Sequence, residues 1–219
     1  MRELIEVREL TERWHRGWCV ARGLTGVEDL GVGLRVRCLQ PGRDVEYVAL
    51  SDTAVAPLAA RVLGEREATW LTVPTVSPAQ VAEALTDAGL VLLKRAEQLM
   101  TVPLADHPSS KPADPYQLEV VRVGAAITAT VRDSSTGEAA ARGTVGLSGT
   151  DAIADRIETV PAHRRKGLAS VVMGALAEAA REEGAAHGIL IASEDGQHLY
   201  RRLGWHPVAD VLIATAPDA

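Results

Sequence analysis

The chain has 219 residues, is 47% hydrophobic and carries a formal net charge of −6. That length buries a core as one large domain or two small ones, and the negative balance argues against a global grip on nucleic acid or anionic lipid. Any anion site must therefore be local. Cys19 and Cys38 lack metal-site or disulfide spacing, residues 1–6 lack an apolar signal core and no apolar run spans a bilayer, so a reduced cytoplasmic setting is expected.

Residues 4–23 read as a helix that places Trp14 and Trp18 one turn apart. The plainer reading is a shared core face; the sharper one is an aromatic wall beside a substrate. Residues 32–39 and 45–50 read as strands around the turn Pro41-Gly42-Arg43-Asp44. Gly31-Val32-Gly33 lacks the third glycine and the strand–helix setting of a dinucleotide loop. Ser51 or Asp52 can cap a helix to residue 63. Residues 69–73 read as a strand. Ser77 can cap a helix that starts with Pro78 and ends at Ala88-Gly89. Residues 90–104 are mostly strand. Three prolines within residues 105–115 mark a surface linker.

After it, residues 118–123, 126–131, 140–147 and 153–160 read as strands, with a turn at 133–137. A long alanine-rich helix covers 170–183. A strand follows at 187–192, then a helix at 194–203 that Ser193 can cap and Gly204 ends, then a strand at 208–215. The halves share an order: residues 45–50, helix, 69–73, helix, then strand, against 153–160, helix, 187–192, helix, then strand. This is a repeat of pattern rather than identity, and chance in an α/β chain would also give it. The first copy, Leu50-Ser51-Asp52-Thr53-Ala54, has neither glycine nor arginine.

Two motifs carry chemistry. In Pro161-Ala162-His163-Arg164-Arg165-Lys166-Gly167-Leu168-Ala169-Ser170, a strand runs into a basic turn that opens a helix. Unpaired amides and the helix dipole favour an anion there, three cations add charge, and Gly167 and Ala169 let a diphosphate approach the backbone. The bland alternative is a solvated basic loop. In the second motif, Leu199-Tyr200-Arg201-Arg202-Leu203-Gly204-Trp205, Tyr200 alone would read as a core aromatic with its hydroxyl at the surface.

Together and in this order, the motifs resemble the GNAT superfamily of acyl-coenzyme A N-acyltransferases. Residues 164–169 fit its Arg/Gln-x-x-Gly-x-Gly/Ala loop. Residues 199–205 fit its Leu-Tyr…Leu-Gly-Phe ending, with Trp205 in the aromatic place. The resemblance implies an α/β fold with a mixed, mostly antiparallel sheet, a splayed parallel strand pair and two GNAT-like lobes. It divides the chain into a degenerate amino-terminal lobe (1–105), a linker (106–115) and an acetyl-CoA-binding acetyltransferase domain (116–219). It further implies that Ile157, Glu158 and Thr159 offer backbone to the pantetheine arm. Arg164, Arg165, Lys166, Gly167, Leu168, Ala169 and Ser170 would hold the pyrophosphate, with Ser193 also in the cofactor-binding set.

The implied chemistry is direct attack of an amine on the thioester, with no metal. Tyr200 matches the family's acid position. Its phenol, with an ordinary pKa near ~10, can donate to a leaving thiolate whose thiol titrates near ~8.5. The base is Asp155, Glu158 or a water chain; strand alternation would put Asp155, Ile157 and Thr159 on one face and Arg156 and Glu158 on the other. A salt bridge is the competing role for both carboxylates. His163 and His198 read as surface residues. The acceptor would be an amine of a small molecule or peptide, without nucleic acid or membrane, and the protein a monomer or homodimer. The helices that many relatives insert between their first two strands are missing between 118–123 and 126–131, so the amino-terminal half is expected to wall the acceptor pocket. Two alternatives stay open: a non-catalytic acyl-CoA-binding regulatory module, and a transferase for a bulkier acyl group.

Overall fold

A computed structural model describes residues 2–93 and 96–217. The elements run α1 (Arg2–Arg22), β1 (Glu28–Asp29), β2 (Gly33–Gln40), β3 (Arg43–Ala49), α2 (Val55–Gly64), β4 (Thr69–Thr75) and α3 (Pro78–Asp87). Then come β5 (Val91–Leu92), β6 (Glu97–Pro103), β7 (Tyr116–Val123), β8 (Ala126–Asp133), β9 (Ala139–Ser148) and β10 (Asp151–Thr159). The last are α4 (Leu168–Glu182), β11 (His187–Ala192), α5 (Glu194–Arg202) and β12 (His206–Thr215). The strand expected over 90–104 divides into β5 and β6; Lys94 and Arg95 lie outside the described residues.

All the strands join one 12-stranded sheet in the order β1-β2-β3-β4-β12-β6-β11-β10-β9-β8-β7, with β5 on β12. Two pairs are parallel, β3 with β4 and β10 with β11. The other pairings are antiparallel. The order is palindromic about the β12–β6 contact. Each half's last strand crosses over: β12 pairs with β4 and β6 pairs with β11. The repeated order in the sequence therefore corresponds to a pseudo-twofold sheet whose closing strands are exchanged.

Three apolar clusters follow from strand alternation. Val45, Tyr47 and Ala49 of β3 point toward α2 and α3, while Val48 points to the opposite face. Ala152 and Ala154 of β10 pack under α4, while Ile153 joins Trp14 and Trp18 beneath α1. The expected helix at the amino terminus thus lies across the carboxy-terminal half of the sheet, on the face opposite α4. Gly17 and Gly146 allow this approach: a Cβ on Gly146 would stand 2.0 Å from the Gly17 carbonyl oxygen. Two arginines of α1 fix its register along β10. Arg13 donates to both carboxylate oxygens of Asp151 at 2.9 and 2.6 Å, and Arg22 to both of Asp155 at 2.7 and 2.9 Å. Nine helical residues advance about 13.5 Å and four strand residues about 13 Å, so the two spacings match.

Ser51, Ser77 and Ser193 stand at or before helix starts, yet none caps through its side chain. The Ser51 hydroxyl pairs with that of Thr53 at 2.9 Å, and the Ser77 amide donates to Thr75 Oγ1. The segment expected to be a surface linker is strapped down. His107 is buried, and a Cβ on Gly174 of α4 would meet Ser109 Cα at 2.9 Å.

His15, buried against Trp14 and Trp18, has its pKa lowered from 6.5 to about 4, chiefly by burial and secondarily by Arg16. The unfolded chain therefore takes up this proton first. Its stabilising contribution is whole above pH 6.5 and is lost as pH falls toward 4, a change of about 3 kcal/mol. Urea midpoints at pH 7 and 4.5 should show His15→Gln losing less stability on acidification than the parent, by most of that amount.

Candidate active site

The parallel ladder between β10 and β11 stops at Ile153↔Ile189, beyond which the two strands have no paired register. On the other side of β10, the register with β9 runs from Asp155↔Thr144 to Glu158↔Arg142. Two residues, Arg156 and Ile157, thus oppose the single Gly143, a β-bulge with Arg156 at φ 54°. The bulge corrects the alternation expected from sequence. Asp155 turns toward Arg22 of α1, whereas Ile157 packs with Val172 and Leu176 of α4, so the two do not share a face. An extra residue resets the period of two, and nothing in the local composition marks where it falls.

A cavity of about 420 Å³ opens where β10 and β11 part. Ala154 to Ile157, Ile191, Ser193 and Tyr200 form its carboxy-terminal side. Trp14, Trp18 and Arg22 roof it from α1, and Arg43, Glu46, Trp70 and Thr72 come from the amino-terminal half. The two tryptophans of α1 stack at 5.3 Å between ring centroids, so they are both core and cavity wall. Arg43 lies over Trp70 at 4.7 Å and bridges Glu46 at 3.1 Å.

Tyr200 is buried, with its ring 6.1 Å from that of Trp205. Burial first and the charge of Asp155 second raise its pKa well above the usual phenol value. It is held as a phenol at all working pH values. Asp155 is engaged in its two-pronged bridge to Arg22, and its side chain is 14% exposed. The Glu158 carboxylate turns outward to Arg142 and is not part of the cavity lining. The α5 helix that carries Tyr200 is tied to the exchanged strand: Arg201 donates to Gln98 Oε1 at 2.6 Å and Gln197 to the Ala96 carbonyl.

At the far end of β10, Pro161–His163 forms a single tight turn and α4 begins at Leu168. Arg165 and Gly167 both have positive φ, 63° and 76°, a backbone pattern that gathers successive amides into an anion-binding concavity. Ser170 and Val171 donate back to the Gly167 carbonyl, so the amides of 167–169 remain at the helix end. Arg164, Arg165, Lys166 and Gly167 are exposed there. Lys166 Nζ donates to Tyr116 Oη at 2.7 Å, and that hydroxyl lies 2.9 Å from His163 Nδ1, which anchors the loop to β7. His198 is exposed and does not line the cavity. Among the described residues, no group of three or more His, Cys, Asp or Glu could hold a metal, and no helix is long and apolar enough to cross a membrane.

Sequence reasoning missed Arg22, Arg43, Glu46 and Trp70 as cavity residues. Glu46 did leave a signal, a lone charge inside the apolar strand Val45-Glu46-Tyr47-Val48-Ala49-Leu50.

Residues 106–205 match the family model "Acetyltransferase (GNAT) family". The chain carries a GNAT acetyltransferase domain. No curated protein matches the chain in sequence. Among solved structures, a GCN5-related N-acetyltransferase from Kribbella flavida is similar, with TM-score 0.69 and 16% identity, covering 96% of this chain and 95% of that one. A tandem GNAT protein from the clavulanic acid biosynthesis pathway gives TM-score 0.60 and 15% identity over 86% of this chain and 80% of its own. A GCN5-related N-acetyltransferase from Sphaerobacter thermophilus gives TM-score 0.60 and 9% identity over 84% and 76%. At these identities the structural matches establish the GNAT fold along nearly the whole chain. The family model covers residues 106–205, in the carboxy-terminal half.

Proposed function

We propose that this GNAT domain transfers an acetyl group from acetyl-CoA to a primary amine of a small molecule or peptide by direct attack. Residues 116–219 would form the catalytic lobe, 106–115 the connection and 1–105 a degenerate lobe that shapes the acceptor side. The observation that carries this reading is the meeting of Tyr200, the open edge of β10 and the 420 Å³ cavity in one place. The splay leaves the backbone of Ile157, Glu158 and Thr159 for the pantetheine arm. The amides of Gly167, Leu168 and Ala169, with Arg164, Arg165 and Lys166, suit the pyrophosphate, and Ser170 and Ser193 lie at the ends of this track.

In this reading a bulge amide meets the oxyanion. Tyr200 delivers a proton to the departing sulfur. Because its pKa is raised, it gives that proton up only as another reaches it from the attacking nitrogen. Asp155, bound to Arg22, keeps the phenol protonated by its charge rather than acting as base. Calorimetry with CoA tests the donor side. The double variant Arg164→Ala/Arg165→Ala should bind CoA about 100-fold more weakly, as expected for losing two charge-assisted contacts. Unchanged affinity rejects the assigned loop.

A further inference from the structure

A carboxylate on β3, outside the matched domain, faces the same cavity as Tyr200. Glu46 is 2% exposed and lies at the cavity wall. Thr72 Oγ1 donates to it at 2.7 Å from β4 and the Cys38 thiol at 3.7 Å from β2, and Arg43 of its own strand forms an ion pair with it at 3.1 Å. Across the face, α1 contributes the charge of Arg22 and the Cys19 thiol. Burial first, then the charge of Glu46, pushes both thiols up to about 12, so they stay protonated. Burial raises the pKa of Glu46 itself, against the opposing pull of Arg43.

The carboxylates of the carboxy-terminal half are less suited. Asp155 has both oxygens taken by the two-pronged bridge to Arg22, whereas Arg43 reaches Glu46 through one contact, and Glu158 points out of the cavity. We propose that Glu46, supplied by the amino-terminal half, binds the incoming ammonium group of the acceptor and takes its proton. This rests on the acetyl-transfer reading above. The protons balance as follows. The acceptor enters as R–NH₃⁺ and gives one proton to Glu46. Its nitrogen then bonds to the thioester carbonyl carbon, and the carbon–sulfur bond breaks. Tyr200 hands its proton to the sulfur and recovers one from the nitrogen, through water. One hydrogen stays on the new amide. Glu46 releases its proton to solvent, so the products are an amide, a thiol and one proton.

Two small amines test this. Methylamine is protonated at pH 7, as a lysine is, whereas hydroxylamine is neutral and needs no prior deprotonation. Thiol release from acetyl-CoA is followed with each, for the parent, Glu46→Gln and Tyr200→Phe. Glu46→Gln should cut transfer to methylamine by about 100-fold or more, the usual worth of a positioned base, and leave transfer to hydroxylamine within about threefold. Its acetyl-CoA affinity by calorimetry and its melting temperature should stay near those of the parent. Tyr200→Phe should depress both reactions. Glu97 also lines the cavity; equal loss of both amines in Glu46→Gln, or loss of methylamine transfer in Glu97→Gln with transfer by Glu46→Gln intact, overturns the assignment. A parent that binds acetyl-CoA but transfers to neither amine overturns the acetyl-transfer reading, and this inference falls with it.

Discussion

Tyr200→Phe should lower turnover by about 10²- to 10³-fold while leaving CoA affinity within about twofold. The substitution removes one oxygen and keeps the ring that packs near Trp205 at 6.1 Å. A positioned general acid is worth about 10²- to 10⁴-fold, and Tyr200 lines the cavity rather than the loop proposed to hold the pyrophosphate. The loss should therefore appear in kcat, with calorimetric binding intact. Raising the pH should not mimic the variant. Burial and Asp155 hold the phenol protonated far above neutrality, so its ionisation lies outside the range in which the protein is assayed. The variant should melt close to the parent, which separates lost chemistry from lost fold. Unchanged turnover in Tyr200→Phe removes the phenol from the mechanism. Parent protein that binds CoA without any transfer makes this a binding module.

Much of the carboxy-terminal half was legible because its signals are local. A basic, glycine-containing turn after an apolar strand announces a helix start, found at Leu168, and the strand expected over 187–192 coincides with β11. What escaped depends on partners distant in sequence. The exchange of β6 and β12 leaves no local trace, since either strand has the same apolar character in either place. The bulge at Arg156 and Ile157 is set by Gly143, Val172 and Leu176, so alternation misled the assignment of faces there. Asp155 reads in sequence as a base or as one end of a salt bridge with no partner named. Its bond to Arg22, 133 residues away, appears only when α1 lies down on the sheet. The amino-terminal half does line the cavity; Trp14 and Trp18 could be named for it from helical spacing, whereas Arg43, Glu46, Trp70 and Thr72 could not.

Gly146→Ala should be the most damaging single change outside the chemistry, because it attacks the contact that closes the cavity. A Cβ there would stand 2.0 Å from the Gly17 oxygen and 2.6 Å from the Ala21 amide nitrogen. Both are backbone atoms of α1 and have no rotamer through which to yield. The helix must lift, and as it lifts it strains the bridges of Arg13 and Arg22 and draws Trp14 and Trp18 away from the cavity. Overpacking usually costs about 1–3 kcal/mol, and a rigid neighbour puts this case at or above the upper end. Gly17→Ala is the informative contrast. Its Cβ would meet side-chain atoms of Ile153, Cδ1 at 2.3 Å, Cγ1 at 2.6 Å and Cβ at 2.9 Å; rotation moves the first two and leaves only the mildest overlap, so it should cost less despite serving the same contact. Urea midpoints should rank parent, Gly17→Ala and Gly146→Ala in falling stability. CoA affinity should change little, since the loop proposed to hold the pyrophosphate lies at the head of α4 on the other face. Turnover should fall with the displaced roof. If Gly146→Ala instead matches the parent in stability and turnover, α1 does not press on the sheet in solution, and the cavity loses the wall on which the acceptor side depends.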